Sequence, residues 1–275
     1  MVVISLASTT VYFQPDTQLD TPPLLNVKKQ ELLQFLKVNV TEGIPYQKYI
    51  TPLDPAVRRV SEDVNGRVEA YSVAVRWVWV SDNVLNGVEE KWLTPHVFLV
   101  ETPHYPTNPV KPREASDCEE QANTLVSVLR AENVSAEDVR VVIGKVRFRG
   151  EEGGHAWVEI YEDGKWLALE ATSGPYYDED KGRFINRKGM PYGFYRTHKY
   201  PCIEIWLYYN DVYYIDYLNK KENAPSKWHT PLIEEKTDSS SMDYQLFSFL
   251  LVWMASDKLL TVKSSEDLRK VLSLR

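Results

Sequence analysis

The chain has 275 residues, 43% of them hydrophobic, enough to bury one large or two small cores. Its 39 acidic residues outnumber the 32 basic ones, for a net charge of −7, which argues against nucleic acid or an anionic membrane as a partner. Its two cysteines, Cys118 and Cys202, make no disulfide framework and are expected to be reduced.

The start, Met1-Val2-Val3-Ile4-Ser5-Leu6-Ala7, lacks a positive n-region and reads as a strand, not a signal peptide. Residues 1–20 are expected to form a strand and a polar turn. Leu25, Leu32, Leu33 and Leu36 then set a helical period over residues 24–38. Pro52 and Pro55 bracket the start of the next helix, with Asp54 as its cap, and Asn65-Gly66 interrupts it. Between residues 68 and 84 the reading stays open, because Val73, Val75, Trp77 and Trp79 alternate as in a strand. The segment 94–115 carries Pro95, Pro103, Pro106, Pro109 and Pro112. A loop that long inside a domain is usually functional, and this one reads as a wall of a cleft. His96 and His104 lie in it and read as plain loop residues.

Cys118 follows that loop, within Ser116-Asp117-Cys118-Glu119-Glu120. Cys118, Ala122, Leu125, Val126 and Leu129 make one apolar helical stripe. Ser116 is a good N-cap, and Glu119 three residues on completes a capping box, which puts Cys118 at the second helical position. The free N–H groups and dipole of a helix start favour thiolate over thiol and can hold an oxyanion. A lone cysteine on such a stripe is more often a small buried hydrophobe. The histidine and carboxylate downstream reverse that reading.

In His155-Ala156-Trp157-Val158-Glu159-Ile160-Tyr161, Ala156, Val158 and Ile160 share one strand face; His155, Trp157 and Glu159 share the other. Asp163-Gly164 signals a two-residue hairpin turn, and Trp166-Leu167-Ala168-Leu169-Glu170 returns. Closing that turn pairs Glu162 with Lys165, sets His155 against Thr172 and leaves Glu170 as its diagonal neighbour on the same face. Glu170 is thus the expected orienter of His155, with Glu159 the competing one. Cysteine nucleophile, histidine base and carboxylate orienter follow in that order.

Further on, residues 173–199 read as a second cleft wall and residues 202–218 as a tyrosine-rich hairpin about Asn210-Asp211. Thr237-Asp238-Ser239-Ser240-Ser241 reads as a linker, followed by helices near 242–259 and 265–273. His198 and Cys202 stand four apart with no second matched pair, so no metal is assigned. Gly150 to Gly154 carries carboxylates where a phosphate needs N–H groups and cations, and no cofactor is assigned. The apolar run from Phe249 to Ala255 is too short to span a bilayer, and a soluble, cytoplasmic protein is expected.

Ser116-Asp117-Cys118-Glu119-Glu120, Gly154-His155-Ala156-Trp157-Val158-Glu159, Glu170-Ala171-Thr172 and the upstream Trp92-Leu93-Thr94-Pro95 together resemble the transglutaminase-like superfamily, the prokaryotic branch of papain-fold cysteine enzymes. The resemblance spans about residues 54–215 and departs in one place, Glu170 standing where that family usually has Asp. It implies an α+β fold, with a papain-like, transglutaminase-type core in which the cysteine helix packs on an antiparallel sheet. It also favours helix over strand near residues 68–84. The expected domains are an N-terminal extension over 1–53, a catalytic core over 54–220 and a C-terminal linker with helices over 221–275. The implied activity is acyl transfer on a peptide or protein amide by Cys118, His155 and Glu170, with hydrolysis preferred. A transglutaminase, a peptide:N-glycanase-like amidase and a non-catalytic scaffold are the alternatives. In animal transglutaminases a tryptophan helps hold the oxyanion. Trp79 and Trp92 both lie upstream of Cys118, and each reads first as a core aromatic.

Overall fold

The computed structural model describes strands at residues 3–6 and 9–12, and residues 43–230 apart from 149. The helix expected at 24–38, the linker at 237–241 and the two C-terminal helices lie outside the described residues. The chain divides into two compact units, residues 1–42 and 43–275. In the first, β1 (Val3–Leu6) and β2 (Thr9–Tyr12) pair antiparallel, Val3 opposite Tyr12 and Leu6 opposite Thr9.

The second unit starts at Gly43, not at residue 54. Tyr46 and Tyr49 are buried against the ring of Trp92, at 5.0 and 5.1 Å, and the Thr51 N–H donates to Ser127 Oγ. Residues 43–53, assigned above to the extension, are therefore part of this core. α1 (Pro55–Glu62) begins where the prolines place it, and Asp54 caps it by accepting from the Ala56 N–H at 2.7 Å.

The open stretch at 68–84 is both things in turn. α2 (Arg67–Ala74) ends before β3 (Val78–Trp79). The Trp79 and Val80 N–H groups donate to Pro175 O and Ser116 O. The helix that the resemblance favoured stands over Arg67–Ala74, and those distant partners make the strand of Val78–Trp79. A one-turn helix, α3 (Asp82–Leu85), follows, capped by Ser81. β3 pairs in parallel with β4 (Ala115–Ser116) on one side and with β8 (Tyr176–Asp178) on the other; β8 pairs antiparallel with β9 (Arg183–Ile185). This small sheet ties the chain just before Cys118 to the chain just after Glu170.

The main sheet has six strands in the order β12-β11-β10-β5-β6-β7, every pair antiparallel. They are β5 (Val139–Phe148), β6 (Glu151–Glu162), β7 (Lys165–Leu169), β10 (Cys202–Tyr209), β11 (Tyr214–Asp216) and β12 (Lys221–Glu222). Strand alternation gives the sheet two apolar faces. Val141, Ile143, Ala156, Val158 and Ile160 form one core with Ala122, Leu125 and Leu129 of α4 (Cys118–Ala131). Val142, Val146, Trp157, Trp166, Tyr208 and Trp228 form a second core on the other face. Trp228 is fully buried and β12 extends the sheet, so the folded core continues past residue 220. Each fully buried leucine or valine of α4 contributes about 1.5–3 kcal/mol, which anchors the helix that carries Cys118.

Candidate active site

Cys118 is the first residue of α4, one position earlier than expected. The N-cap is Asp117; Ser116 belongs to β4, and its hydroxyl donates to Glu120 Oε2 at 2.7 Å. Glu119 closes no capping box. Its Oε2 accepts from the Cys118 thiol at 3.3 Å. Burial, and then the Glu119 charge, push the Cys118 thiol well above its ordinary value; the Ala156 N–H pulls the other way. The expected thiolate is thus corrected: burial and the neighbouring Glu119 carboxylate favour the neutral thiol.

His155 lies on β6, and β7 returns in the register set by the turn, Glu162 opposite Lys165 and Tyr161 opposite Trp166. Asp163 and Gly164 take φ of 52° and 81°, as such a turn requires. Glu170 is the residue after β7, and its Oε2 lies 2.8 Å from His155 Nε2. Three further donors hold this carboxylate. Tyr200 OH donates to Oε2 at 2.7 Å, and the Thr172 hydroxyl and N–H donate to Oε1 at 2.6 and 3.1 Å. Burial alone pushes Glu170 up, but His155 and these hydrogen bonds prevail and leave it below the ordinary carboxylate value. Thr172 stands in the Glu170-Ala171-Thr172 motif. Tyr200 carries no signal in the sequence.

Glu159, the competing orienter, is engaged elsewhere. Its Oε2 accepts from Arg140 Nη2 and Nε at 2.6 and 2.9 Å, and its Oε1 from the Trp157 indole at 3.2 Å. Arg140 is itself sandwiched between the Trp166 and Tyr208 rings, at 3.8 and 3.6 Å.

The thiol and the histidine flank one sheet edge. β7 ends at Leu169, opposite Val158, so β6 from His155 to Trp157 has no strand partner on that side. The thiol lies against the Ala156 N–H there, one residue from His155. Trp92 packs on Tyr46 and Tyr49 and its indole donates to Glu90 at 2.6 Å; Trp79 is buried in β3. His96 Nδ1 lies 3.3 Å from Asp54 Oδ1. His198 stacks on Phe194 at 4.0 Å. A cavity of about 460 Å³ on the far side of the sheet is lined by Glu159, Trp166, Tyr200, Cys202 and Tyr208 among others, and by none of Cys118, His155 and Glu170. No helix among the described residues is long and apolar enough to cross a membrane.

Residues 98–171 match the family model of the transglutaminase-like superfamily. No curated protein sequence matches the chain. Among solved structures, EGTA-treated LapG of Legionella pneumophila is similar, with TM-score 0.36 and 12% identity over 66% of this chain and 80% of that one. Calcium-bound LapG of the same organism aligns at TM-score 0.36 and 12% identity, over 62% of this chain and 93% of the other.

Proposed function

We propose, from the premise that this chain belongs through residues 98–171 to the transglutaminase-like superfamily, that the protein is a cysteine hydrolase acting on amide bonds. The observation that carries the reading is the 2.8 Å contact between His155 Nε2 and Glu170 Oε2, beside a cysteine at a helix start. In this reading Glu170 holds the imidazole by Nε2 and stabilises its charged form, so Nδ1 is the nitrogen that exchanges the proton. His155 takes the thiol proton as Cys118 Sγ bonds to the substrate carbonyl carbon. The negative oxygen that forms is met by the N–H groups at the start of α4. The carbon–nitrogen bond then breaks, and the amine leaves with the proton from His155. His155 next takes a proton from water, whose oxygen bonds to the thioester carbon. The acid departs and the thiol is restored.

The raised thiol supports this assignment of roles, because a nucleophile that rests protonated needs a base within the site. Hydrolysis is preferred over amine transfer, the substrate being a peptide or protein. The cytoplasm is the proposed location, which fractionation of cells tests. The burial of Cys118, 3% exposed, favours one second reading, a scaffold that keeps the fold without turnover.

The test profiles wild type and Cys118→Ala against a peptide library, with a labelled primary amine present at millimolar level. The expected result is peptide cleavage to free acid by wild type alone. Activity retained in Cys118→Ala ends the reading, and acyl groups found mainly on the amine make the protein a transferase. A thiol-reactive probe that fails to label Cys118 in native protein favours the scaffold.

A further inference from the structure

Tyr200 joins the second core to the candidate active site. Strand alternation puts His155 and Trp157 on the same face of β6, and Trp157 is fully buried in that core. Tyr200, just ahead of β10, packs in the same core and is 2% exposed. Its ring lies 4.8 Å from the Trp157 ring and 4.9 Å from the Tyr195 ring. Trp157 in turn stacks beside His155 at 6.3 Å. Packing therefore fixes the Tyr200 ring, and its hydroxyl donates to Glu170 Oε2 at 2.7 Å. The same oxygen meets His155 Nε2 at 2.8 Å.

Filling this core needs only the ring of Tyr200. What the hydroxyl adds is a donor on the carboxylate that holds His155. A glutamate side chain has much rotamer freedom to lose, and here each of its oxygens is tied separately. Thr172 holds Oε1 through its hydroxyl and N–H, and Tyr200 holds Oε2. Tyr71, Arg187 and Tyr195 also face this carboxylate, with less direct contacts. The Tyr71 hydroxyl, from α2, donates to the Glu170 main-chain oxygen at 3.2 Å, Arg187 Nε donates to Gly174 O at 2.6 Å, and Tyr195 packs against the Tyr200 ring.

We propose, on the acyl-transfer reading above, that Tyr200 is a positioning residue for that reaction and holds Glu170 Oε2 against His155 from the second core. Tyr200 acts through Glu170 and touches no reacting atom. A hydrogen bond donated to the carboxylate favours its charged form. Only that form stabilises the imidazolium that appears when His155 takes the thiol proton. Removing the hydroxyl alone should therefore raise the pH at which Glu170 titrates. It should also lower kcat with little change in KM, because a buried tyrosine behind the carboxylate makes no contact with a bound peptide.

The test is Tyr200→Phe, which keeps the ring and removes the donor. Carbon-13 NMR of the full chain, labelled in its glutamate carboxyls, reads the Glu170 titration, with its signal assigned by its loss in Glu170→Gln. The midpoint in Tyr200→Phe should lie above that of wild type by at least about half a pH unit. Tyr195→Phe, which trims a neighbouring ring of the same core, should leave the midpoint in place. On a peptide that wild type cleaves, Tyr200→Phe should lose about 10–100-fold in kcat at unchanged KM. In the Glu170→Gln background the same change should cost less than about threefold, because the route through the carboxylate is already gone. An unmoved Glu170 midpoint, an equal shift in Tyr195→Phe, or wild-type kcat in Tyr200→Phe overturns the role of Tyr200. A wild type that cleaves no peptide overturns the acyl-transfer reading itself, and the NMR arm, which needs no turnover, tells the two failures apart.

Discussion

Glu159 and Glu170 offer His155 the same carboxylate from the same sheet face, and their surroundings separate them. Glu159 is committed to the buried Arg140 through two hydrogen bonds, and Glu170 to His155 at 2.8 Å. Removing one partner of a buried ion pair leaves the other charge uncompensated. Glu159→Gln is therefore expected to lower stability by about 3–5 kcal/mol, as read by urea unfolding, while the His155–Glu170 contact persists. Glu170→Gln is expected to lower kcat/KM by about 10²–10⁴-fold, because the amide cannot stabilise the imidazolium. Wild-type kinetics in Glu170→Gln would rule out the orienting role. The choice between the two carboxylates was legible, since the turn at Asp163-Gly164 sets the register. The choice of Tyr200 as a third donor was not, since the chain brings it to Glu170 only through tertiary folding.

At the scale of elements, the β6–β7 hairpin is local and the β3 sheet is not. Gly164 has φ of 81° and nothing within 4 Å of where a Cβ would lie, so a side chain there meets backbone strain and no clash. Gly164→Val is expected to destabilise by about 1–2 kcal/mol, whereas Gly164→Asn, which tolerates the left-handed region, should be nearly neutral. Because β7 leads directly into Glu170, a hairpin strained toward another register also displaces the orienter. The valine variant should therefore lose activity along with Tm in parallel melting and kinetic assays. A valine variant with unchanged Tm would show that the turn does not hold the register. The β3–β4 and β3–β8 pairs gave no such warning. Two-residue strands carry too little pattern to read, and their partners, near Ser116 and Pro175, are remote in the chain.

For the whole molecule, the acids around Cys118 and the carboxylate beside His155 act in opposite directions on stability. Burial raises Asp82 to about 7. Burial, and then the Asp82 charge, raise Glu120 to about 8. These groups bind protons more tightly folded than unfolded, so stability grows as pH falls from about 8 toward the ordinary carboxylate range near 4.5. Glu170 is depressed, so its contribution is complete above that range and is lost as pH falls through its lowered value. The chain should accordingly have its highest Tm near pH ~5 and a lower one at pH ~8. Melting curves across that range check this, and a Tm that rises from pH ~5 to pH ~8 contradicts it.

The sequence by itself determined what neighbours along the chain decide: the cap and prolines that start α1, the apolar stripe of α4, the alternation of β6 and the turn that brings Glu170 back toward His155. Each rests on interactions spanning a few residues, so each leaves a periodic trace. Only the tertiary structure decided the charge environment. Burial, and then the charges of Glu119 and Glu90, favour a thiol at this helix-start cysteine where a thiolate was expected. That outcome depends on the distance between charges and on the water removed around them, and both are set by segments that meet only when the chain is folded.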